Sequence, residues 1–338
     1  MAKNPLPRVS VVTPMYNAEA YIELAVRSVL AQSFTDFEYI VVNDGSSDQC
    51  GAIVDLLALE DARLKVIHLP ENVGNSRANN RGFAEARGEY IACMDADDIC
   101  HPQRLEKQVE YLDAHPQMGL VATQYWRMSP AGEVLRKTRN KLTNVVLRFQ
   151  LLFAVPVCNP TTFFRRQIVD EMLPDVYSPR LKAAADYDFL CRVAERWDMH
   201  VLPDYLFYYR INPNGLSKQK KHILIDETTA KAIPHIQSTL PDAGLSDADI
   251  AVFIEVQGNA AAGIDARRRE VYSRVLRALC DAYVKPLNAR ERCAVRMFCV
   301  ELEAKTLGWR HKLVKKPALL ARWLPGFFAF SIKACVGR

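Results

Sequence analysis

Three stretches of the chain carry residue types whose spacing could do chemistry. The first is Met94-Asp95-Ala96-Asp97-Asp98, directly after the apolar run Tyr90–Met94. Carboxylates this close repel one another unless a cation or a set of donors compensates. Oxygen ligands favour a hard divalent ion, Mg²⁺ or Mn²⁺. The competing reading is a solvated turn in which Asp98 caps a helix opening at Pro102. Strand alternation would put Asp95 and Asp97 on the same side. In the second stretch, Asp44 follows Phe37–Asn43 and opens Asp44-Gly45-Ser46-Ser47-Asp48. A carboxylate there can accept hydrogen bonds from a nucleobase or ribose, or the segment is an ordinary strand-to-helix turn. The third runs from Asn72 to Arg77, with Arg81 four residues on and Asn80 on the same helical face. These side chains could hold phosphate oxygens at a helix start, or form a solvated basic face.

The elements that must position these residues are legible in the hydrophobic pattern. Strand signals at Val9–Thr13, Phe37–Asn43, Leu64–Leu69 and Tyr90–Met94 alternate with helical spacing at Glu19–Gln32, Cys50–Leu59, Ser76–Ala86 and Pro102–Ala114. Asp48 is placed to cap the second of these helices. Such alternation predicts an α/β fold, a mainly parallel, Rossmann-like sheet with flanking helices. Sheets of this kind bind ligands beyond the carboxyl ends of their strands. Met118–Met128 and Val201–Tyr209 read as further strands and Ala185–Trp197 as a helix, while the stretch from about Ala131 to Ser178 is less regular. After Ser217 strand signals fade, and helices are expected at Ile223–Leu240, Asp247–Asn259, Arg268–Tyr283 and Ala289–Leu307. The expected division is therefore residues 1–217 and a mostly helical region, residues 218–338.

Composition narrows the class. Of 338 residues, 49% are hydrophobic and 25% charged, which excludes a mainly disordered chain. Nine scattered cysteines without a Cys-x-x-Cys pair argue against a disulfide scaffold or zinc finger and fit a reducing cytosol. Met1–Arg8 has no signal-peptide apolar region, and the most apolar late stretch, Ala318–Val336, is interrupted by Arg322, Pro325 and Lys333. The net charge of +5 hides an asymmetry: Arg267–Arg338 holds 17 Lys/Arg against 5 Asp/Glu. Clusters at Arg267–Arg269, Arg310–Lys312 and Lys315–Lys316, with Trp309, Trp323, Phe327, Phe328 and Phe330, fit either an anionic membrane surface or packing against the first domain. No nucleic-acid-binding module accompanies this charge, so nucleic acid is not an expected partner.

Five stretches, in order and spacing, together resemble glycosyltransferase family 2, whose members have the GT-A fold. They are Val9–Asn17, Val41–Asp48, Asn72–Gly82, Ala86–Tyr90 and Met94–Asp98; further on, Ala185–Phe189 and Tyr209–Pro213 look like acceptor-side motifs of that family. The resemblance covers about Pro7–Ser217. It implies that Pro14, Tyr16, Asn17 and Asp44 line a nucleotide pocket, with Arg77 near the pyrophosphate and Asp95 at the ribose. Asp97 would ligate a divalent metal, Mn²⁺ or Mg²⁺, and Asp186 would be the catalytic base. Ala185 stands where the family usually has Glu, and Asn212 where many members have His, which bears on metal affinity.

The expected activity is inverting transfer of a sugar from a nucleotide diphosphate donor, a UDP-sugar, to a hydroxyl of a glycan or lipid-linked glycan. The implied setting is surface polysaccharide or lipopolysaccharide assembly, with a hexosyl- or N-acetylhexosaminyl-transferase on the inner face of the cytoplasmic membrane. The chemistry is consistent: the leaving diphosphate needs charge neutralisation, the attacking hydroxyl needs one carboxylate base, and a single displacement inverts the anomeric carbon. Two alternatives stay open: a sugar nucleotidyltransferase, although Met15-Tyr16-Asn17 is no Gly-rich phosphate loop, and a catalytically inactive nucleotide-sugar-binding or membrane-scaffold module.

Overall fold

The computed structural model describes residues 6–139, 143–212, 215, 219–259 and 264–307. By compactness the chain divides into two units, Met1–Leu147 with Val155–Leu224, and Arg148–Ala154 with Ile225–Arg338. The basic aromatic clusters from Trp309 onward, and Ser217 and Lys218, lie outside the described residues.

The first unit is a mixed sheet with helices packed on it. In chain order its elements are β1 (Val9–Met15), α1 (Ile22–Leu30), β2 (Phe37–Asn43), α2 (Cys50–Glu60), β3 (Leu64–His68), α3 (Asn75–Glu85), β4 (Tyr90–Cys93), β5 (Ile99–Cys100), α4 (Arg104–Ala114), β6 (Met118–Met128), β7 (Val134–Lys137), α5 (Asn144–Leu151, which from Arg148 on belongs to the second unit), β8 (Phe163–Arg165), α6 (Arg166–Met172), α7 (Ala185–Arg196) and β9 (Asp198–Arg210). The strand order is β3-β2-β1-β4-β8-β6-β9-β5, with β7 on β6. From β3 to β4 the pairing is parallel, and β6 pairs β9 in parallel. The three-residue β8 lies antiparallel between these halves, so the expected Rossmann-like half is joined to a second, mixed half.

Local chemistry sets the boundaries. Helix α1 opens at Ile22 rather than Glu19, because the Glu19 N–H donates to Asp48 Oδ2 (2.9 Å) and its carboxylate accepts from the Gln49 N–H (3.0 Å). Asp48 itself accepts from the Cys50 N–H at the start of α2 (3.1 Å). Helix α4 starts at Arg104, since the carbonyls of His101 and Pro102 accept from Gln32 Nε2 and the Ser33 N–H, each at 2.8 Å. Strand β9 tolerates Pro203 because its register against β6 shifts there, between Leu202 and Tyr205. Strands β1 and β2 are buried almost throughout, as expected of central parallel strands covered on both faces. Helix α3 packs against β1 so closely that a Cβ on Gly82 would lie 2.4 Å from Val12 Cγ1.

The second unit holds α8 (Lys221–Thr239), whose first turn belongs to the first unit, then α9 (Asp247–Gly258), α10 (Ala266–Tyr283) and α11 (Ala289–Thr306). Ser246, Asp265 and Asn288 cap the last three helices. Their core is aromatic: Phe153 meets Phe253 edge-on at 5.0 Å, and Phe253 stacks on Tyr272 at 4.8 Å. Within the Arg267–Arg269 run, Arg268 is ion-paired with Glu255 and Arg269 donates to the Ile264 carbonyl. Among the described residues no helix is long and apolar enough to cross a membrane.

Candidate active site

The loops after β1, β2 and β3 are clasped together at the carboxyl edge of the sheet. Asn17 adopts a left-handed φ of 47°, and its N–H donates to Ser46 Oγ (3.0 Å) while its side-chain oxygen accepts from the Ser47 N–H (2.9 Å). Tyr16 beside it is 52% exposed, an aromatic ring left uncovered at the mouth of this edge. Pro14 lies in a central strand, but β4 pairs β1 only as far as Val12, so its missing N–H breaks no ladder there. Asp44 is 2% exposed, and its carboxylate accepts from the N–H groups of Val73 (2.7 Å) and Gly74 (3.0 Å). Gly45 follows at φ 63°, where a Cβ would lie 2.4 Å from the Glu71 carbonyl carbon. In the structure Asp44 clasps the loop after β2 to the loop after β3.

The basic face on α3 is not a three-residue cluster. Arg77 is exposed at the helix start and donates to the Val73 carbonyl (3.3 Å). Arg81 is ion-paired with Glu85 at 2.7 Å. Asn80 exchanges two hydrogen bonds with the backbone of Tyr177, at 2.7 and 2.8 Å, and so anchors that segment.

The acid loop leaves β4 at Cys93, and two arginines bracket it. Arg210, at the end of β9, donates its N–H to Asp98 Oδ1 (2.7 Å) and its Nε to the Asp97 carbonyl (2.6 Å), while its guanidinium lies over the Tyr21 ring at 4.7 Å. Asn212 donates its amide to Asp97 Oδ2 (2.9 Å). Asp98 therefore does not cap α4. It is 1% exposed, and its Oδ2 has no hydrogen-bond partner among the described residues. Burial, with the charges of Asp95 and Asp97, raises its carboxyl well above the ordinary range. Asp95 is pushed up to about 7 by burial and by the charges of Asp97 and Asp186, against the pull of Arg104. His101 is half-buried and stacks on Trp126, with ring centroids 6.5 Å apart.

Asp186 sits in the first turn of α7 and accepts from the Tyr187 N–H (2.8 Å). Burial raises its carboxyl to about 6 even so. Asp188 is turned to an ion pair with Arg192 at 2.8 Å. Cys158 shares the cluster's field, since burial and the charges of Asp98, Asp95 and Asp186 hold its thiol neutral. Two arginines that the sequence analysis assigns no role, Arg104 and Arg210, therefore belong to this site, with Cys158 beside them. Arg210 lay within a quoted motif, and Arg104 shows in the sequence as a charge on the same stripe of α4 as Gln108, Leu105, Val109 and Leu112.

Among the described residues, no group of three or more His, Cys, Asp or Glu forms a ready metal cage. Mg²⁺ and Mn²⁺ at nucleotide sites commonly take one or two carboxylates and the ligand's phosphates instead. Hard oxygen donors, and an orphaned oxygen at Asp98, fit an ion of that kind arriving with a diphosphate.

A Rossmann-like sheet with clasped loops and an acid loop on its carboxyl edge defines a GT-A architecture. Residues 10–173 match the family model for glycosyl transferase family 2. EpsJ, a glycosyltransferase of Bacillus subtilis, is 31% identical over 237 residues, 67% of each chain. TuaG of the same organism, named for teichuronic acid biosynthesis, is 30% identical over 214 residues, 63% of this chain and 83% of that one. The chain belongs to glycosyltransferase family 2. Among solved structures, TarS 1–349 of S. aureus in complex with UDP-GlcNAc gives a TM-score of 0.59 at 20% identity, covering 92% of this chain and 91% of that one. Against the longer TarS chain, the coverage is 53% of that chain. PcManGT, a mannosyltransferase from Pyrobaculum calidifontis in complex with GDP-Man and Mn²⁺, gives 0.54 at 19% identity, covering 92% and 88%. These two likenesses are of fold.

Proposed function

We propose that the protein is an inverting glycosyltransferase that moves a sugar from a UDP-type donor to a hydroxyl of a surface glycan or lipid-linked glycan. The observation that carries this reading is the convergence of Asp95, Asp97 and Asp98 with Asp186, which share one electrostatic field at the carboxyl edge. The nucleotide would lie along the clasped loops, with its base against Asp44 and Tyr16, Pro14 and Asn17 shaping the pocket, and Arg77 near the pyrophosphate. Asp95 would hold the ribose, and Asp97 a divalent ion that neutralises charge on the leaving diphosphate. Asp186 takes the proton of the attacking hydroxyl; a carboxyl raised to about 6 is ionised at neutral pH yet more basic than a free one. No second carboxylate nucleophile is needed for a single inverting displacement. Much of the remaining rate would come from holding donor and acceptor in line.

The complex of TarS with UDP-GlcNAc supports a UDP-sugar, that of PcManGT with Mn²⁺ supports a divalent ion, and the name of TuaG supports a surface-polysaccharide acceptor. The basic C-terminal third, residues 218–338, would lie against an anionic membrane surface at the inner face of the cytoplasmic membrane. The test is a panel of UDP-sugars with glycan and lipid-linked acceptors, with and without Mn²⁺. Release of UDP with anomeric inversion supports the proposal, and release of pyrophosphate or retention of configuration refutes it. Sedimentation with phosphatidylglycerol vesicles tests the membrane placement.

A further inference from the structure

Beneath the acid loop lies an arginine whose hydrogen-bond acceptors are all neutral. Arg104 is fully buried at the start of α4. Its Nε donates to Gln108 Oε1 (2.9 Å), one terminal nitrogen donates to the carbonyls of Cys93 (2.9 Å) and Thr162 (3.2 Å), and the other donates to Cys100 Sγ (3.3 Å). The guanidinium also lies over the Phe207 ring, 5.0 Å from its centroid. Cys93 closes β4 two residues before Asp95, and Cys100 stands two residues after Asp98. One rigid fork therefore grips the chain on both sides of the loop. Thr162 ends the segment that begins at Cys158. Gln108, equally buried, extends the grip by donating to the carbonyls of Thr161 (3.0 Å) and Val121 (3.3 Å).

A buried guanidinium costs several kcal/mol of desolvation, and a methionine would fill the same space without that cost. Its five donors in a fixed plane do what no neutral side chain can: they hold two strand ends and a turn at set distances. Among the described residues its charge is drawn into no ion pair, and it acts on Asp95 in the loop above it.

We propose that Arg104 is a positioning residue for donor binding, holding the acid loop in the geometry that receives the metal-bound diphosphate and supplying a fixed positive charge beneath it. The proposal rests on the metal–diphosphate reading given above. It is distinct from a fold-stabilising role because it sets the metal-dependent part of donor affinity.

The test is calorimetric titration of the full chain with UDP, in Mn²⁺ and in EDTA, for wild type, Arg104→Met and Arg104→Lys. For Arg104→Met the dissociation constant in Mn²⁺ should rise about tenfold or more, the equivalent of one to two lost charged hydrogen bonds, while that in EDTA stays within about twofold. Arg104→Lys keeps the charge and loses the fork, so its ratio of the two constants should fall between wild type and Arg104→Met. If Arg104→Met does not fold, a fall of about threefold in the ratio for Arg104→Lys supports the proposal. A wild-type ratio in either folded variant, or a parallel rise of both constants, overturns it. A wild-type chain whose UDP affinity ignores Mn²⁺ overturns the underlying reading and this proposal together.

Discussion

Replacing Asp186 with Asn should move stability and activity in opposite directions. The carboxyl ordinarily titrates near 3.8 and burial raises it to about 6 in the folded chain. At about 1.36 kcal/mol per unit, ionising this group in place costs up to roughly 3 kcal/mol. The sign follows from linkage: a carboxyl raised on folding carries no penalty below its unfolded value. The penalty grows as pH rises from there to about 6 and is complete above it. Asp186→Asn removes that penalty and keeps an oxygen for the Tyr187 N–H. At pH 7.5 its melting temperature should exceed wild type by up to about 6–12 °C, since roughly 1 kcal/mol shifts a unit of this size by about 2–4 °C. Near pH 4 the two should melt together. Turnover should fall about 10³-fold, the usual worth of a positioned base. Wild-type kcat/KM should climb about tenfold per pH unit below about 6 and level above it. Melting curves and initial rates of UDP release across pH 4–8 check all three. An Asn variant that melts below wild type at pH 7.5, or a rate flat from pH 5 to 7.5, would refute the reasoning.

The other predictions follow from contacts already described. Asp97→Ala should abolish turnover and strip away the Mn²⁺-dependent part of UDP binding, whereas Asp186→Asn should leave that binding within about twofold; calorimetry separates the two roles. Glu38, 3% exposed on β2, is pushed up by burial but held below the ordinary range overall by donors from Lys65, Ser10 and Arg87. Glu38→Gln should cost about 1–3 kcal/mol at pH 7 by denaturant melts, and the difference should shrink as pH falls through about 4, where the unfolded carboxyl takes its proton. Gly82→Ala drives a methyl against Val12 and should destabilise the sheet unit by about 1–3 kcal/mol while leaving KM for the donor near wild type.

What the sequence reveals about the fold tracks the strength of its periodic signals. The strands Phe37–Asn43 and Met118–Met128 appear with the bounds their apolar runs predict, and the long helices end within a few residues of expectation. The elements that escape are the short ones. Strand β5 has two residues and β8 three, too few for any period, and β7 is exposed along its whole length, so no burial pattern marks it. At the site, the sequence locates the carboxylates because they follow apolar strands, but not their partners. Arg81 and Arg77 look equivalent on a helical wheel. Only the fold shows that Glu85 takes Arg81 and that Asn80 is spent on Tyr177. Asn212 reads as a weaker metal ligand, yet in the fold its amide donates to Asp97.

The partners also explain why so acidic a cluster is tolerated in a buried place. Arg104 acts on Asp95, and Arg210 on Asp98 and the Asp97 carbonyl, yet both arginines spend much of their hydrogen bonding on backbone carbonyls. Fully ionised, the cluster would carry an excess of negative charge in a poorly hydrated pocket, and the carboxyls of Asp95, Asp98 and Asp186 respond by rising toward neutrality. A proton and a divalent cation are thus rival answers to the same field. Packing alone would be served better by apolar side chains at these positions. On the function proposed above, this is a site held ready for a cation that arrives with its own phosphate ligands, and that reading accounts for a loop gripped at both ends and for the unmet oxygen of Asp98 among the described residues.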